Sequence, residues 1–178
     1  MKSLVLVLCA VLALGACSRG ENPDALFAQD GVGGGGNTID PVSGSVIGPD
    51  GRRIEVNSID YFDEIIGDRV LFEVDQSTLT PAATSTLDRQ AAWLLRNSGT
   101  QITVEGHADE QGTREYNFRL SARRAAAVRD YLVTKGIPDS RLSTIPYGKE
   151  RPESVCSDES CWAKNRRAVT VVTGGLGA

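Results

Sequence analysis

The chain has 178 residues, enough for one domain plus a tail, with ordinary hydrophobic and charged fractions of 40% and 24%. Its 19 Lys and Arg stand against 23 Asp and Glu, a net charge of −4, which gives no electrostatic footprint for nucleic acid and no basic run to seek anionic lipid. One histidine, His107, is too few for a His-rich zinc site, and no Gly-x-Ser-x-Gly elbow accompanies it, so neither a metal nor another cofactor is called for.

Residues 1–16 read as a signal peptide: Lys2 gives a positive start, and Leu4 to Leu14 form an apolar run too short to span a bilayer. The segment ends Leu14-Gly15-Ala16-Cys17, which looks like a bacterial lipobox with Cys17 as the residue to be lipidated. A single acyl chain binds membranes only marginally, at roughly 0.8 kcal/mol per buried CH2, so a di- or triacylated Cys17 is what would make the anchor permanent. Ser18, rather than Asp, follows Cys17; by similarity to bacterial lipoproteins this favours release to the outer membrane. Residues 17–57 read as the lipidated N-terminus and a flexible tether, with four successive glycines at 33–36 and the turn Gly48-Pro49-Asp50-Gly51. About forty such residues have a root-mean-square reach of roughly 35 Å.

The folded domain is expected over 58–178. Ile59, Phe62, Ile65 and Ile66 suggest a short amphipathic helix, and Val70 to Val74 a strand. Thr80-Pro81 is an N-cap followed by proline at the first helical position, opening a helix with Leu87, Ala91, Leu94 and Leu95 on one face and a stop near Gly99. Ile102 and Val104 alternate in a strand that leads to Gly106-His107-Ala108-Asp109. After a turn through Gly112, a long helix carries Asn117, Leu120, Arg124, Ala127, Val128 and Tyr131 at helical spacing and ends at Gly136. A strand at Leu142 to Tyr147, a short helix at Ser157 to Asn165 and a last strand at Arg167 to Thr173 complete the pattern. Alternating strands and helices predict a layered α/β or α+β sandwich, one sheet with helices packed on it.

Asp109 falls at a strand end, and Arg124 shares a helix stripe with apolar residues. Facing one another across a cleft, they would suit a zwitterion, Asp109 taking an ammonium and Arg124 a carboxylate. A structural salt bridge accounts for the same spacing.

The run Gly106-His107-Ala108-Asp109-Glu110-x-Gly112-Thr113-x-Glu115-Tyr116-Asn117-x-x-Leu120-Ser121-x-x-Arg124-Ala125 resembles the peptidoglycan-binding domain shared by outer-membrane protein A and the peptidoglycan-associated lipoproteins. The resemblance runs from about Val70 to Val172 and includes Tyr147-Gly148-Lys149-Glu150 and Asn165-Arg166-Arg167. It implies an OmpA-like fold, the α+β two-layer sandwich with a mixed sheet, and a non-catalytic role: an outer-membrane lipoprotein, domain facing the periplasm, that binds peptidoglycan and ties the membrane to the wall. It further implies the Tol–Pal system, envelope constriction during division, and a TolB-like periplasmic propeller as partner. Asp109 and Arg124 match the positions that grip diaminopimelate in the family. Asn117, Leu120, Gly112, Thr113, Phe72, Asp75 and Arg166 are expected around them, Gly112 supplying backbone N–H donors and Arg166 near the cleft or paired with the acidic loop. The motif selects Arg124 over Arg123, which lies about 100° around the helix. Many relatives carry a second aromatic where Val74 stands.

Cys156 and Cys161 depart from the family pattern; in an exported protein they are expected to form a disulfide. The competing function is an enzyme acting on the wall, with His107, Asp109, Glu105 or Glu110 as acid–base groups. No nucleophile is apparent beside them. His107 is expected to be a structural hydrogen-bonding residue at the strand end.

Overall fold

The computed structural model describes Ile39 and residues 43–175. The signal peptide, Cys17 and most of the tether lie outside the described residues. A two-stranded antiparallel hairpin comes first, β1 (Ser45–Ile47) and β2 (Arg53–Glu55). The helical segment α1 (Ile59–Tyr61) continues as a π-helical turn over Phe62–Gly67. Then follow β3 (Arg69–Leu71), α2 (Pro81–Arg96), β4 (Gln101–His107), α3 (Arg114–Thr134), β5 (Leu142–Gly148), α4 (Glu159–Asn165) and β6 (Arg167–Thr173). The main sheet has the order β3-β6-β4-β5. β6 runs antiparallel to both β3 and β4, and β4 and β5 are parallel neighbours joined through α3. The expected mixed sheet with helices packed on it is present.

The tether boundary needs correction. Val46 and Ile54 of the hairpin are buried in the core, and the Val56 carbonyl accepts the indole N–H of buried Trp93 at 2.7 Å. Folded structure therefore begins ahead of Ser58. Burying each of these side chains contributes about 1.5–3 kcal/mol, which outweighs the local turn-rich composition. The strand expected over Val70 to Val74 is also shorter: the Phe72 amide makes one more bond toward β6, to the Arg166 carbonyl, and the chain then turns away with Asp75 at φ +58°.

The two long helices form where their caps predict. Thr80 accepts from the Ala83 amide and Thr113 from the Tyr116 amide. α2 buries Leu87, Ala91, Trp93 and Leu94, and the Trp93 and Phe62 rings meet with centroids 5.0 Å apart. The helix-covered face of the sheet is built by alternation: Ile102, Val104 and Gly106 of β4 pair with Val172, Thr170 and Ala168 of β6. Buried Gln90 is satisfied by donating to the Gly67 carbonyl and accepting from Thr170. Gly106 sets the height of α3 over the sheet: a Cβ there would lie 2.0 Å from the Ser121 carbonyl oxygen. At the same crossing, Ser121 Oγ accepts from the Gly148 amide at 2.9 Å. This close seating brings the start of α3 against the ends of β4 and β5, where the candidate site lies.

Candidate functional site

β4 ends at His107, and residues 108–113 carry the chain to the cap of α3. Four successive carbonyls of this connection are held from outside it. Asn117 Nδ2 donates to the Asp109 and Gln111 carbonyls at 3.2 and 2.7 Å. Lys149 Nζ donates to the Glu110 and Gly112 carbonyls at 3.2 and 2.9 Å. The left-handed turn at Gly112, φ +88°, is one that a residue with a Cβ would resist. The Gln111 amide turns back to Asp109 Oδ1 at 3.1 Å, while the amides of Glu110, Gly112 and Thr113 find no acceptor among the described residues.

Beside this loop is a cleft of about 240 Å³ lined by Val74, Asp75, Asp109, Gln111, Gly112, Tyr116, Asn117 and Leu120. The Tyr116 hydroxyl donates to Asp75 Oδ1 across the mouth. Asp109 is mostly buried, and its second oxygen pairs with Arg166 Nη1 at 3.3 Å. Arg166 also donates to the Phe72 carbonyl and both Glu159 oxygens. Burial acts against its charge, but the Glu159 and Asp109 hydrogen bonds prevail and hold the guanidinium above its ordinary pKa. Both expected roles of Arg166, near the cleft and paired with the acidic loop, are realised together.

The expectation that Arg124 faces Asp109 across the cleft is corrected. Arg124 is 0% exposed and does not line it. Nε, Nη1 and Nη2 donate to the carbonyls of Gln76, His107 and Glu73 at 2.8, 2.9 and 3.2 Å, and the guanidinium lies over the Phe72 ring at 5.2 Å. Burial lowers its pKa to about 10, with the Asp109 charge opposing and Arg166 assisting, so it stays cationic at neutral pH. Its apolar stripe on α3 carries it under the cleft rather than into it. Phe72 is buried beneath the same guanidinium, and Thr113 is occupied in capping α3. Asp75, Asp109, Gly112, Asn117 and Leu120 do line the cleft, Asn117 chiefly as the clasp of the loop.

Sequence reasoning missed Gln111 and Tyr116 as lining residues and Lys149 as a support. Tyr116 precedes Leu120 by one helical turn, a signal that was available. Lys149 is 37 residues from Gly112, and only the β4–β5 pairing brings it there.

None of Glu105, His107 and Glu110 lines the cleft. His107 is buried in stacking contact with Tyr147, ring centroids 5.4 Å apart, and its ring nitrogens make no hydrogen bond of ordinary geometry among the described residues, with Glu105 Oε2 3.7 Å from Nε2 and the Arg151 carbonyl nearby. Packing therefore outweighs the expected hydrogen-bonding role. Cys156 and Cys161 form the expected disulfide. A larger hollow of about 560 Å³ between Phe118 and Tyr147 carries the Arg114–Glu150 ion pair but is lined by no residue of the 108–113 loop.

The OmpA family model matches residues 71–167. The peptidoglycan-associated lipoprotein of Rhizobium meliloti is 58% identical over 113 residues, spanning 64% of either chain, just under two thirds of that relative. The protein of the same name from Agrobacterium fabrum is 46% identical over 97% of this chain and 88% of its own. The crystal structure of the peptidoglycan-associated lipoprotein from Burkholderia pseudomallei superposes with TM-score 0.58 at 35% identity, over 60% of this chain and 90% of that one. The C-terminal domain of Helicobacter pylori MotB, 22% identical with TM-score 0.57, shares the fold. The family model over more than half of the chain and the long match to these relatives agree: the chain belongs to the OmpA family, in its peptidoglycan-associated lipoprotein branch.

Proposed function

We propose that this protein is an outer-membrane lipoprotein that binds peptidoglycan without catalysis, through the diaminopimelate of its stem peptides, and ties the membrane to the wall. The observation that carries the reading is the cleft at the end of β4. It sets the carboxylates of Asp109 and Asp75 beside a loop whose carbonyls at Asp109, Glu110, Gln111 and Gly112 are held and whose Glu110, Gly112 and Thr113 amides have no acceptor among the described residues. An ammonium suits the carboxylates and a carboxylate suits the amides, the two ends of a free diaminopimelate centre. Arg124 contributes from below: it holds the walls at Glu73, Gln76 and His107 and keeps a positive charge under the site. Val74 in place of an aromatic leaves that wall smaller, with less surface for stacking.

Lipidation at Cys17, a tether between it and the hairpin, and periplasmic exposure of the domain belong to the same proposal. Membership of the Tol–Pal system, with a TolB-like propeller as partner in envelope constriction, rests on the family relation. Labelled palmitate should enter the wild-type chain and be absent from Cys17→Ala; equal labelling would remove the anchor from the proposal.

Calorimetric titration with a diaminopimelate-containing stem peptide tests the binding site. Asp109→Asn should keep the fold, because Arg166 retains Glu159, yet lose a charge-assisted contact worth about 1.5–3 kcal/mol, roughly tenfold to a hundredfold in Kd. Undiminished binding by Asp109→Asn would place the ligand elsewhere. Release of soluble fragments from purified peptidoglycan would point instead to an enzyme.

A further inference from the structure

The Cys156–Cys161 disulfide stands at the head of a chain of contacts that ends in the cleft. Cys161 lies in α4, which spans only seven residues, too short to persist without external fastening. The C-terminal end is fastened by buried Asn165, which accepts from the Glu153 and Ser154 amides and donates to the Ser154 carbonyl. The N-terminal end is fastened by the Asp158 cap, which accepts from the Ser160 amide at 2.8 Å, and by the disulfide.

Two side chains of α4 couple to the loop that carries Asp109, one directly and one through Arg166. Trp162 Nε1 donates to Glu110 Oε1 at 3.1 Å. Glu159 pairs with Arg166, and Arg166 pairs in turn with Asp109. Arg166 is 4% exposed, so its charge must be answered by protein carboxylates. It divides its donors between Glu159 and Asp109. When Glu159 is held in place, Asp109 retains capacity for a second cation. When Glu159 drifts away, the buried guanidinium keeps Asp109 as its one carboxylate among these partners and competes with an incoming ammonium.

We propose that the disulfide makes this site redox-sensitive: the oxidised bridge seats Glu159 and Trp162 as positioning residues for the Asp109 loop, and reduction weakens ligand binding. The inference rests on the binding reading above. The reductant is a dithiol. One of its thiolates attacks a bridge sulfur to give a mixed disulfide, and its second thiolate closes on the first. Two electrons pass to the protein, and each released cysteine sulfur takes up a proton. Cys156 and Cys161 are partly exposed between the exposed residues Ser157, Asp158, Glu159 and Ser160, within reach of such a reagent.

The test titrates the full chain with a diaminopimelate-containing stem peptide, air-oxidised and after dithiothreitol, with Cys156→Ser/Cys161→Ser alongside. Reduced protein and the double variant should both bind about fivefold more weakly or worse, at the low end of ordinary site coupling. Oxidised Glu159→Gln should show a comparable loss, and reducing it should add little, because both changes act through Arg166. Equal affinity of the oxidised and reduced protein overturns the proposal. Amide chemical shifts give an arm that needs no ligand: Asp109, Glu110 and Gln111 should move on reduction, while Ile102 and Val104 in mid-strand stay fixed. Stationary loop signals overturn the inference even if ligand binds. Failure of the oxidised wild type to bind, with loop signals that still move, would remove the ligand reading and leave the mechanical link standing.

Discussion

Arg124→Lys should lower the stability of the domain by about 3 kcal/mol, because the ammonium keeps the buried charge but can serve only part of the three-carbonyl contact. The guanidinium donates to three carbonyls on two separate segments, Glu73 and Gln76 after β3 and His107 at the end of β4. A lysine ammonium cannot occupy the three directions that the planar fork serves. Each buried carbonyl left without a donor costs about 1–3 kcal/mol. The melting temperature should fall by roughly 10 °C or more. Arg123→Lys, one position away on an exposed site, should change stability by about 0.5 kcal/mol at most. Ligand affinity of Arg124→Lys is informative only at temperatures where the variant is folded. If its denaturation midpoint matched the wild type, the three carbonyl contacts would be incidental and Arg124 would be free to meet ligand directly.

The same residue shows where sequence reading reaches and where it stops. Helical spacing put Arg124 on a stripe with Leu120 and Val128, and that stripe is buried as expected. Periodicity gives direction around a helix but not depth below a surface. The depth comes from Gly106, which lets α3 settle against β4 until the guanidinium meets the carbonyls. α2, α3, β4 and β6 were legible because caps, glycine stops and period-two alternation agree with one another. The hairpin of residues 45–55 was not: its strands have three residues each, too few to show a period, and the turn Gly48-Pro49-Asp50-Gly51 between them resembles a linker. The loop at 106–113 was legible as a motif. Its supports, Lys149 and the Glu159–Arg166 pair, come from elements brought together only by the sheet order.

Acid should destabilise the domain through His107, and replacing this one residue should flatten the response. The ring is 2% exposed, and its pKa is depressed from 6.5 to about 4. Burial is the largest cause, followed by the charges of Arg167 and Arg151 and, more weakly, Arg69; the Arg151 carbonyl pulls the other way. Glu105 Oε2 lies 3.7 Å from Nε2, Tyr147 stacks on the ring, and the Arg151 guanidinium lies over that tyrosine at 3.9 Å. Glu105 is the only carboxylate among these neighbours, and its charge does not offset the burial and the arginines. Between pH 6.5 and about 4 the unfolded chain binds a proton at this position and the folded chain does not. Stability contributed by the neutral ring is therefore complete above pH 6.5, falls as the pH drops through that window, and levels off below about 4. The full shift corresponds to about 3 kcal/mol. Carboxylates titrate over the same range, so the comparison must be made with His107→Phe, which preserves an aromatic surface against Tyr147 and removes the titrating ring nitrogens. Urea denaturation at several pH values should show the wild type losing more stability than His107→Phe between pH 7 and pH 4.5, by about 2–3 kcal/mol. Parallel curves for the two proteins would mean that His107 accepts a proton in the folded state, with Glu105 as its counter-ion, and that its burial does not keep it neutral.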